Sequence, residues 1–421
     1  MISLSNGILK IKYTALDKAK FFYEIAFVLN MVVIFAGYDT SGAATVTAVI
    51  MFVASCWLLF EKNRQKIVIP YVTIWYLILI IYIGFSNLWV ADFAGVEALK
   101  KLLRYLIILI STTSIAIYVD DLKDLNKIID LFICGAVIIT VLEFSATPFI
   151  KLSNGSFGSN FSRCNPNDIT VWIDFAAIAS FYRAYNDGKK GMYLITALMV
   201  LFCALSSSRK GFAASLAGPL MIVFFSFRKR GYSFKLILTL ALVIGAAVLV
   251  MENDFLYSAI GVRYDKLFTY LQGGKVDTST QLRTFFIDYA KEMFKESPII
   301  GNGVASFSAQ VERTELGKNA YAHNNYWQIL SELGLVGFVL YYSMYVYVIC
   351  SLIKSYFIRH RDEASLFIST LAMMLMLEMG IVSIGSKFAQ LIIAIVCCSA
   401  YTLSNESQHI KNINKRKTDM E

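Results

Sequence analysis

The sequence is short of charge. Only 16% of its 421 residues are Asp, Glu, Lys or Arg, while 57% are hydrophobic and the mean hydropathy is +0.59. Soluble domains carry about a quarter charged residues, so a soluble globular enzyme is excluded and one polytopic membrane unit is expected. Proline is scarce, with five in all, and no low-complexity segment occurs, which excludes extended disorder. The seven cysteines form no Cys-x-x-Cys pair, so neither a zinc ribbon nor a disulfide framework is supported. All but Cys164 fall in apolar stretches, where a thiol acts as a small hydrophobe. No Gly-x-x-x-x-Gly-Lys loop is present, which removes the soluble nucleotide-binding enzymes. The net charge of +9 invites a nucleic-acid partner. In a membrane chain, however, such an excess is first read as cytoplasmic Lys and Arg fixing orientation, and no nucleic acid is expected.

What is present is apolar runs. Stretches of roughly 18 or more such residues are candidate spans. Twelve are found: Phe22–Gly37, Ala43–Phe60, Ile67–Gly84, Leu103–Tyr118, Ile128–Phe144, Ile169–Tyr182, Met192–Leu205, Phe212–Phe227, Leu236–Met251, Leu333–Ile353, Ala364–Ser383 and Ala389–Leu403. The fourth, sixth and seventh are short and are expected to extend into their flanks. The first is not read as a cleaved signal peptide, for no small-x-small site follows it. The expected fold is therefore an all-α integral membrane protein of about twelve transmembrane helices with one large external loop. Residues 1–251 hold spans 1–9, 252–322 the loop, 323–403 spans 10–12, and 404–421 a basic tail. With both termini inside, cytoplasmic segments carry 23 Lys and Arg against 8 in the short external ones, the bias that orients membrane proteins. Within the loop, Gln281–Glu296 reads as an amphipathic helix, with Leu282, Phe285, Phe286, Tyr289, Met293 and Phe294 near one face. Ser297-Pro298 ends it, and Gly301-Asn302-Gly303 makes a sharp turn.

External basic residues beside span ends run against the orienting bias and are the more informative. Arg209 and Lys210 lie in the very short Ser206–Gly211 connection. Lys100, Lys101 and Arg104 open the fourth span. Arg263 and Arg283 lie in the loop, where a solvated charge is the default reading. Several arginines on the outer face of a membrane cavity suit a phosphate or pyrophosphate, because guanidinium forms bidentate, charge-assisted bonds to phosphate oxygens. Each is worth roughly 1.5–3 kcal/mol. Of the three histidines, His360 and His409 lie in charged cytoplasmic segments. His323 instead opens the tenth span in Ala322-His323-Asn324-Asn325-Tyr326-Trp327-Gln328, a position that suits either a structural hydrogen bond or proton transfer near neutral pH. Asp174, Glu143, Glu378 and Glu24 are intramembrane carboxylates and so candidates for function. Asp174 and Glu378, toward the external side, are candidate partners for the external arginines.

The stretch from His323 through Glu332, Gly334 and Gly337 resembles the signature of the O-antigen polymerase and O-antigen ligase superfamily. Ser208-Arg209-Lys210-Gly211 is similar to the family's Ser-Arg-x-Gly turn. Arg283, with Ser297-Pro298 and Gly301-Asn302-Gly303 after it, is similar to its Arg…Pro-x-x-Gly-x-Gly stretch, and Asn165-Pro166-Asn167 to its Asn-Pro-Asn motif. The motifs occur in the family's order and cover about 160–340. The resemblance implies a GT-C type glycosyltransferase of the cell inner membrane that needs neither metal nor cofactor, is inverting, and works at the periplasmic face. It implies an undecaprenyl-pyrophosphate-linked glycan as donor. Arg209 and Arg283 would bind the pyrophosphate, and His323 would take the proton of the acceptor hydroxyl. Arg263 is a further candidate phosphate contact without a motif behind it, and Asn324 a candidate substrate contact beside His323. Glu332, nine residues into the helix and so about 13 Å along it, is read as structural, and Gly334 and Gly337 as sites of close helix approach. The His-Asn-Asn-Tyr form with Gln328 and Leu330 resembles the polymerase more than the ligase. The acceptor is then a second lipid-linked repeat unit, with lipid A core as the alternative, and a chain-length regulator is a candidate partner. A secondary transporter or flippase is the competing class. The missing twofold repetition and the single large loop speak against it.

Overall fold

A computed structural model describes residues 2–5, 8–11, 14–36, 42–62, 70–148, 150–151, 166–231, 233–272, 278–314 and 320–418. A helix forms over each of the twelve apolar runs. The first nine are α1 (Ala15–Phe35), α2 (Gly42–Glu61), α3 (Tyr71–Ser86), α4 (Gly95–Tyr118), α5 (Leu122–Ala146), α6 (Pro166–Tyr185), α7 (Met192–Leu205), α8 (Arg209–Arg230) and α9 (Ser233–Glu252). The long loop follows as a π-helical turn at Tyr257–Gly261, then α10 (Val262–Leu271), α11 (Thr278–Glu296) and α12 (Ser306–Glu312). The chain returns to the bundle with α13 (Asn325–Phe357), α14 (Ala364–Leu377) and α15 (Lys387–Thr418). The strands Ile2–Ser5 and Ile8–Ile11 pair antiparallel ahead of α1, a small departure from the all-α expectation. Among the described residues, six helices are long and apolar enough to cross a membrane: α2, α5, α8, α9, α13 and the first part of α15. The chain is a multi-pass membrane protein. Asn165 and Cys164 lie outside the described residues.

Several helix edges differ from the hydropathy reading by six residues or more, among them the start of α1 at Ala15, the start of α5 at Leu122 and the end of α14 at Leu377; three others have a visible cause or extent. α4 begins at Gly95, well before Leu103, because Glu97 and Lys100 pair across its solvated first turns at 2.6 Å. α13 begins at Asn325, where the polar Asn324 side chain caps it by accepting from the Trp327 N–H at 3.1 Å. α15 continues as helix through Thr418, across most of the stretch read as a tail.

Close approach decides how α8 is placed. A Cβ at Gly211 would lie 2.3 Å from Thr170 of α6, and one at Gly218 would lie 2.4 Å from Ile178. These glycines are seven residues apart and so share a helix face. Small residues there let α6 and α8 come together, which brings Asn167 next to the start of α8.

The loop is tied to the bundle through a break in α13. Gly334 has φ 63° and ψ −166°, a conformation open to glycine. The break frees main-chain groups that would otherwise bond within the helix, and the turn after α11 takes them up. Leu335 N–H donates to the Pro298 carbonyl at 2.9 Å and Val336 N–H to that of Ile299 at 3.1 Å. In return Asn302 N–H donates to Ser331 at 3.1 Å and Gly303 N–H to Glu332 at 2.8 Å. A Cβ at Gly334 would sit 2.4 Å from the Ile299 oxygen. Gly334 therefore serves a loop-to-helix joint rather than the helix–helix approach expected of it. Gly337 likewise faces its own helix, where a Cβ would sit 2.2 Å from that of Leu333. Tyr82 of α3 donates to the Ile300 and Leu333 carbonyls at 3.1 and 2.9 Å, and Lys101 pairs with buried Glu332 at 3.0 Å. That pair gives Glu332 the structural place read for it. Above the joint, Phe286, Ala290, Met293, Phe307, Val311 and Ala322 form a second small core.

Candidate functional site

The site is built at the start of α8. Ser207 is buried with φ 57° and donates its hydroxyl to the Ala259 carbonyl. Ser208 follows as the N-cap. Its oxygen accepts from Gly211 N–H at 3.2 Å while its hydroxyl donates to Asn167 Oδ1 at 3.0 Å. The kink sets Arg209 and Lys210 in the first turn, where α8 carries no acidic residue. The open N–H groups of that turn add to the field favouring an anion.

Two elements of the loop complete the cleft. Arg263 stands near the start of α10, whose main chain is laced to α8: Arg209 Nη1 donates to the Arg263 carbonyl at 3.1 Å, and Tyr264 OH donates to the Arg209 carbonyl at 3.0 Å. Burial pushes the Tyr264 phenol up to about 12, so it remains a donor. Arg283 comes from α11. Together Arg209, Lys210, Arg263 and Arg283 line a solvent-open cleft, with Asn167, Ser207, Ser208, Leu377, Gly380 and Ile381 as the remaining wall. Among the described residues no Asp or Glu lines it. The structure thus brings together the three arginines read as phosphate contacts, although they are 54 and 20 positions apart in the chain, while Arg104 is not in the lining.

His323 stands beside the cleft rather than in its lining. Its φ is 51°, a left-handed conformation that costs a non-glycine residue roughly 1–2 kcal/mol. The ring is half-buried between Tyr321, at 4.1 Å between centroids, and Phe286, at 5.8 Å. Burial, with Arg283 and Lys210 adding positive charge, pushes the imidazole down to about 4. It is therefore neutral at pH 7 and has a lone pair to offer. Its Nδ1 is buried without a hydrogen-bond partner among the described residues. Gln328, one turn into α13, accepts from Ala322 N–H at 2.8 Å and braces the residue before it.

Two cleft features were not legible as such. Lys210 is held with its Nζ donating to the Met379 carbonyl at 2.7 Å. The segment after α14 supplies Gly380 and Ile381 to the wall. Only the Arg-Lys doublet hinted at the first, and nothing in the local sequence signals the second. The expected arginine partnerships of the buried carboxylates are replaced by others. Asp174 accepts from Cys203 Sγ at 3.2 Å. Glu378 accepts from Tyr342 OH at 2.9 Å, from Tyr345 OH at 2.6 Å and from the Ser383 hydroxyl. A buried carboxylate is satisfied as well by several hydroxyl donors as by a guanidinium, and at less desolvation cost. Glu143 accepts from Thr147 at 3.3 Å, and Glu24 from Tyr118 OH at 2.8 Å.

Fold and site together describe a multi-pass membrane protein with a cationic cleft at one end of its helices and a neutral histidine beside it. Residues 194–342 match the family model described as O-antigen ligase, a stretch that holds Arg209, Arg263, Arg283 and His323. The resemblance to the O-antigen polymerase and ligase superfamily is therefore supported over this segment. A search of curated proteins finds no match.

Proposed function

We propose that the protein is a glycosyltransferase of the cell inner membrane, with twelve crossings, that polymerises undecaprenyl-pyrophosphate-linked repeat units at the periplasmic face. One observation carries the reading: four cationic side chains from α8, α10 and α11 share a cleft without a carboxylate in its lining among the described residues, and the histidine beside it feels two of them. A pyrophosphate is the anion that such a set suits. Arg209, Arg263 and Arg283 hold the donor's pyrophosphate and stabilise the charge that grows as the anomeric C–O bond breaks. His323 takes the proton of the acceptor hydroxyl as the new glycosidic bond forms, a contribution of roughly 10²–10⁴-fold. Undecaprenyl pyrophosphate leaves with the electron pair, and the anomeric centre inverts. Asn324, whose side-chain oxygen caps α13, has its amide group to offer to substrate. The donor's own charge offsets the field of Arg283 and Lys210, so the imidazole gains proton affinity once the donor is seated.

The family model's description favours a second reading, transfer to lipid A core as a ligase. The experiment uses purified protein in liposomes with the lipid-linked repeat unit as sole substrate and no added metal. A ladder of glycan lengths supports the polymerase. No ladder, but transfer once lipid A core is added, makes it the ligase. No transfer under either condition overturns both.

A further inference from the structure

The carboxylate of Glu378 lies at the crossing of the two halves of the site. It follows α14 directly and is fully buried. Two of its hydroxyl donors, Tyr342 and Tyr345, stand one turn apart on α13, and the third, Ser383, closes the segment that Glu378 begins. The same segment is pinned to the start of α13 by its main chain. Asn325 N–H donates to the Glu378 carbonyl at 2.8 Å, and Asn325 Oδ1 accepts from Ser383 N–H at 3.0 Å and Ile384 N–H at 3.1 Å. Asn325 Nδ2 donates to Tyr342 OH at 3.0 Å, which closes the ring of bonds back on the carboxylate.

Each end of this knot touches one half of the site. Met379 takes the Lys210 ammonium, and Gly380 and Ile381 wall the cleft. A Cβ at Gly380 would meet Lys210 Nζ at 2.5 Å, so the lysine lies flat on this segment. At the other end Asn325 is two residues from His323. A buried carboxylate is a costly way to tie two segments unless its several acceptor sites are all used. Here they receive three hydroxyls.

We propose that Glu378 is a positioning residue, whose hydroxyl-bonded carboxylate sets the place of His323 relative to the cationic cleft without touching substrate. The proposal rests on the glycosyltransferase reading for its kinetic consequence but not for its geometric one. Glutamine keeps the shape of Glu378 and halves its acceptor oxygens. Tyr345→Phe removes one donor and leaves the carboxylate in place.

The test uses the full chain in lipid nanodiscs with 13C-labelled histidine. The chain has three histidines, so the His323 resonance is assigned by its loss in His323→Asn. In Glu378→Gln and in Tyr345→Phe the His323 resonance moves while those of His360 and His409 stay. In the polymerisation assay kcat falls about tenfold or more, as displaced catalytic groups do, and the donor KM stays within about threefold. An unmoved His323 resonance in both variants overturns the proposal. So does a wild-type kcat, or a donor KM that rises in step with the kcat loss, which would confine Glu378 to the cleft wall. Absence of transfer by the wild-type chain overturns the glycosyltransferase reading instead, and the resonance still decides whether Glu378 sets the place of His323.

Discussion

Two sets of basic residues, at opposite ends of the helix bundle, are handled in opposite ways. At one end three are met by carboxylates. Arg183, almost fully buried, pairs with Asp130 at 3.0 Å and Asp187 at 2.7 Å and donates to the Asn126 carbonyl at 2.6 Å. Lys62 pairs with Asp120 at 2.6 Å, and Lys20 with Asp124 at 2.5 Å. At the other end Arg209, Lys210, Arg263 and Arg283 gather round a cleft that no carboxylate lines among the described residues. Mutual repulsion there has to be outweighed by the rigid frame that holds the cations, and an incoming anion relieves it. The contrast separates basic residues that hold the fold from basic residues set out for a ligand, which their number alone does not do.

The sharpest way to break the contrast is to remove one residue from each end. Arg283→Ala or Arg209→Ala is expected to lower kcat/KM for the lipid-linked donor by about a hundredfold or more. Wild-type turnover in either variant would dissolve the distinction. Gly334→Ala comes next. A Cβ there strikes the Ile299 carbonyl at a positive φ, so stability should drop by roughly 2–3 kcal/mol, read as a lowered thermal midpoint, and the surviving folded protein should lose activity as α11 shifts. Arg183→Ala should do the reverse of Arg283→Ala, with a stability loss of about 2 kcal/mol and unchanged turnover per folded molecule.

The smallest effect is in the pH profile. His323 sits at about 4 in the folded chain against an ordinary 6.5, so between those values the unfolded chain binds the extra proton. The stability it contributes is complete above about 6.5 and declines as pH falls toward 4. The acid limb of kcat/KM, which reports the free enzyme, should lie near 4. The acid limb of kcat should lie higher, because the bound pyrophosphate offsets Arg283 and Lys210. Coincident limbs would show that the cleft and the histidine do not sense each other.

Much of this was legible because it is local. Apolar runs marked the helices, and the loop's amphipathic pattern marked α11, which buries Phe286 and Met293 of the expected face but leaves Leu282 and Phe285 exposed. Arg209 stood out because it opposes the orienting bias and Arg283 because of its motif, while Arg263, a loop charge without a motif, was a further candidate. The rest depends on contacts between distant segments. Nothing near Glu378 in the chain announces that Tyr342 and Tyr345 will serve it, or that Met379 will receive Lys210. Gly334 looked like a helix-packing residue because its sequence context is helical on both sides, and its left-handed turn exists only because Pro298–Gly303 arrives to take the released main-chain groups. Charge pairing was the natural guess for Asp174 and Glu378. Hydroxyl and thiol donors won because they lie on segments already packed against the carboxylates, Cys203, Tyr342 and Tyr345 on helices and Ser383 in the stretch after α14.

The joint at Gly334 is written almost wholly in main-chain bonds. Peptide groups are common to all residues, so side chains pointing away from the joint carry little of its specification. Ile299, Ile300, Leu335 and Val336 are outward-facing there and are free to drift so long as Gly301, Gly303 and Gly334 keep their turns. The surface of the loop can therefore change over evolutionary time, on the proposed function to suit a different sugar, while the main-chain joint keeps Arg283 and His323 in place. Divergence and constancy are thus assigned to different atoms of the same short stretch.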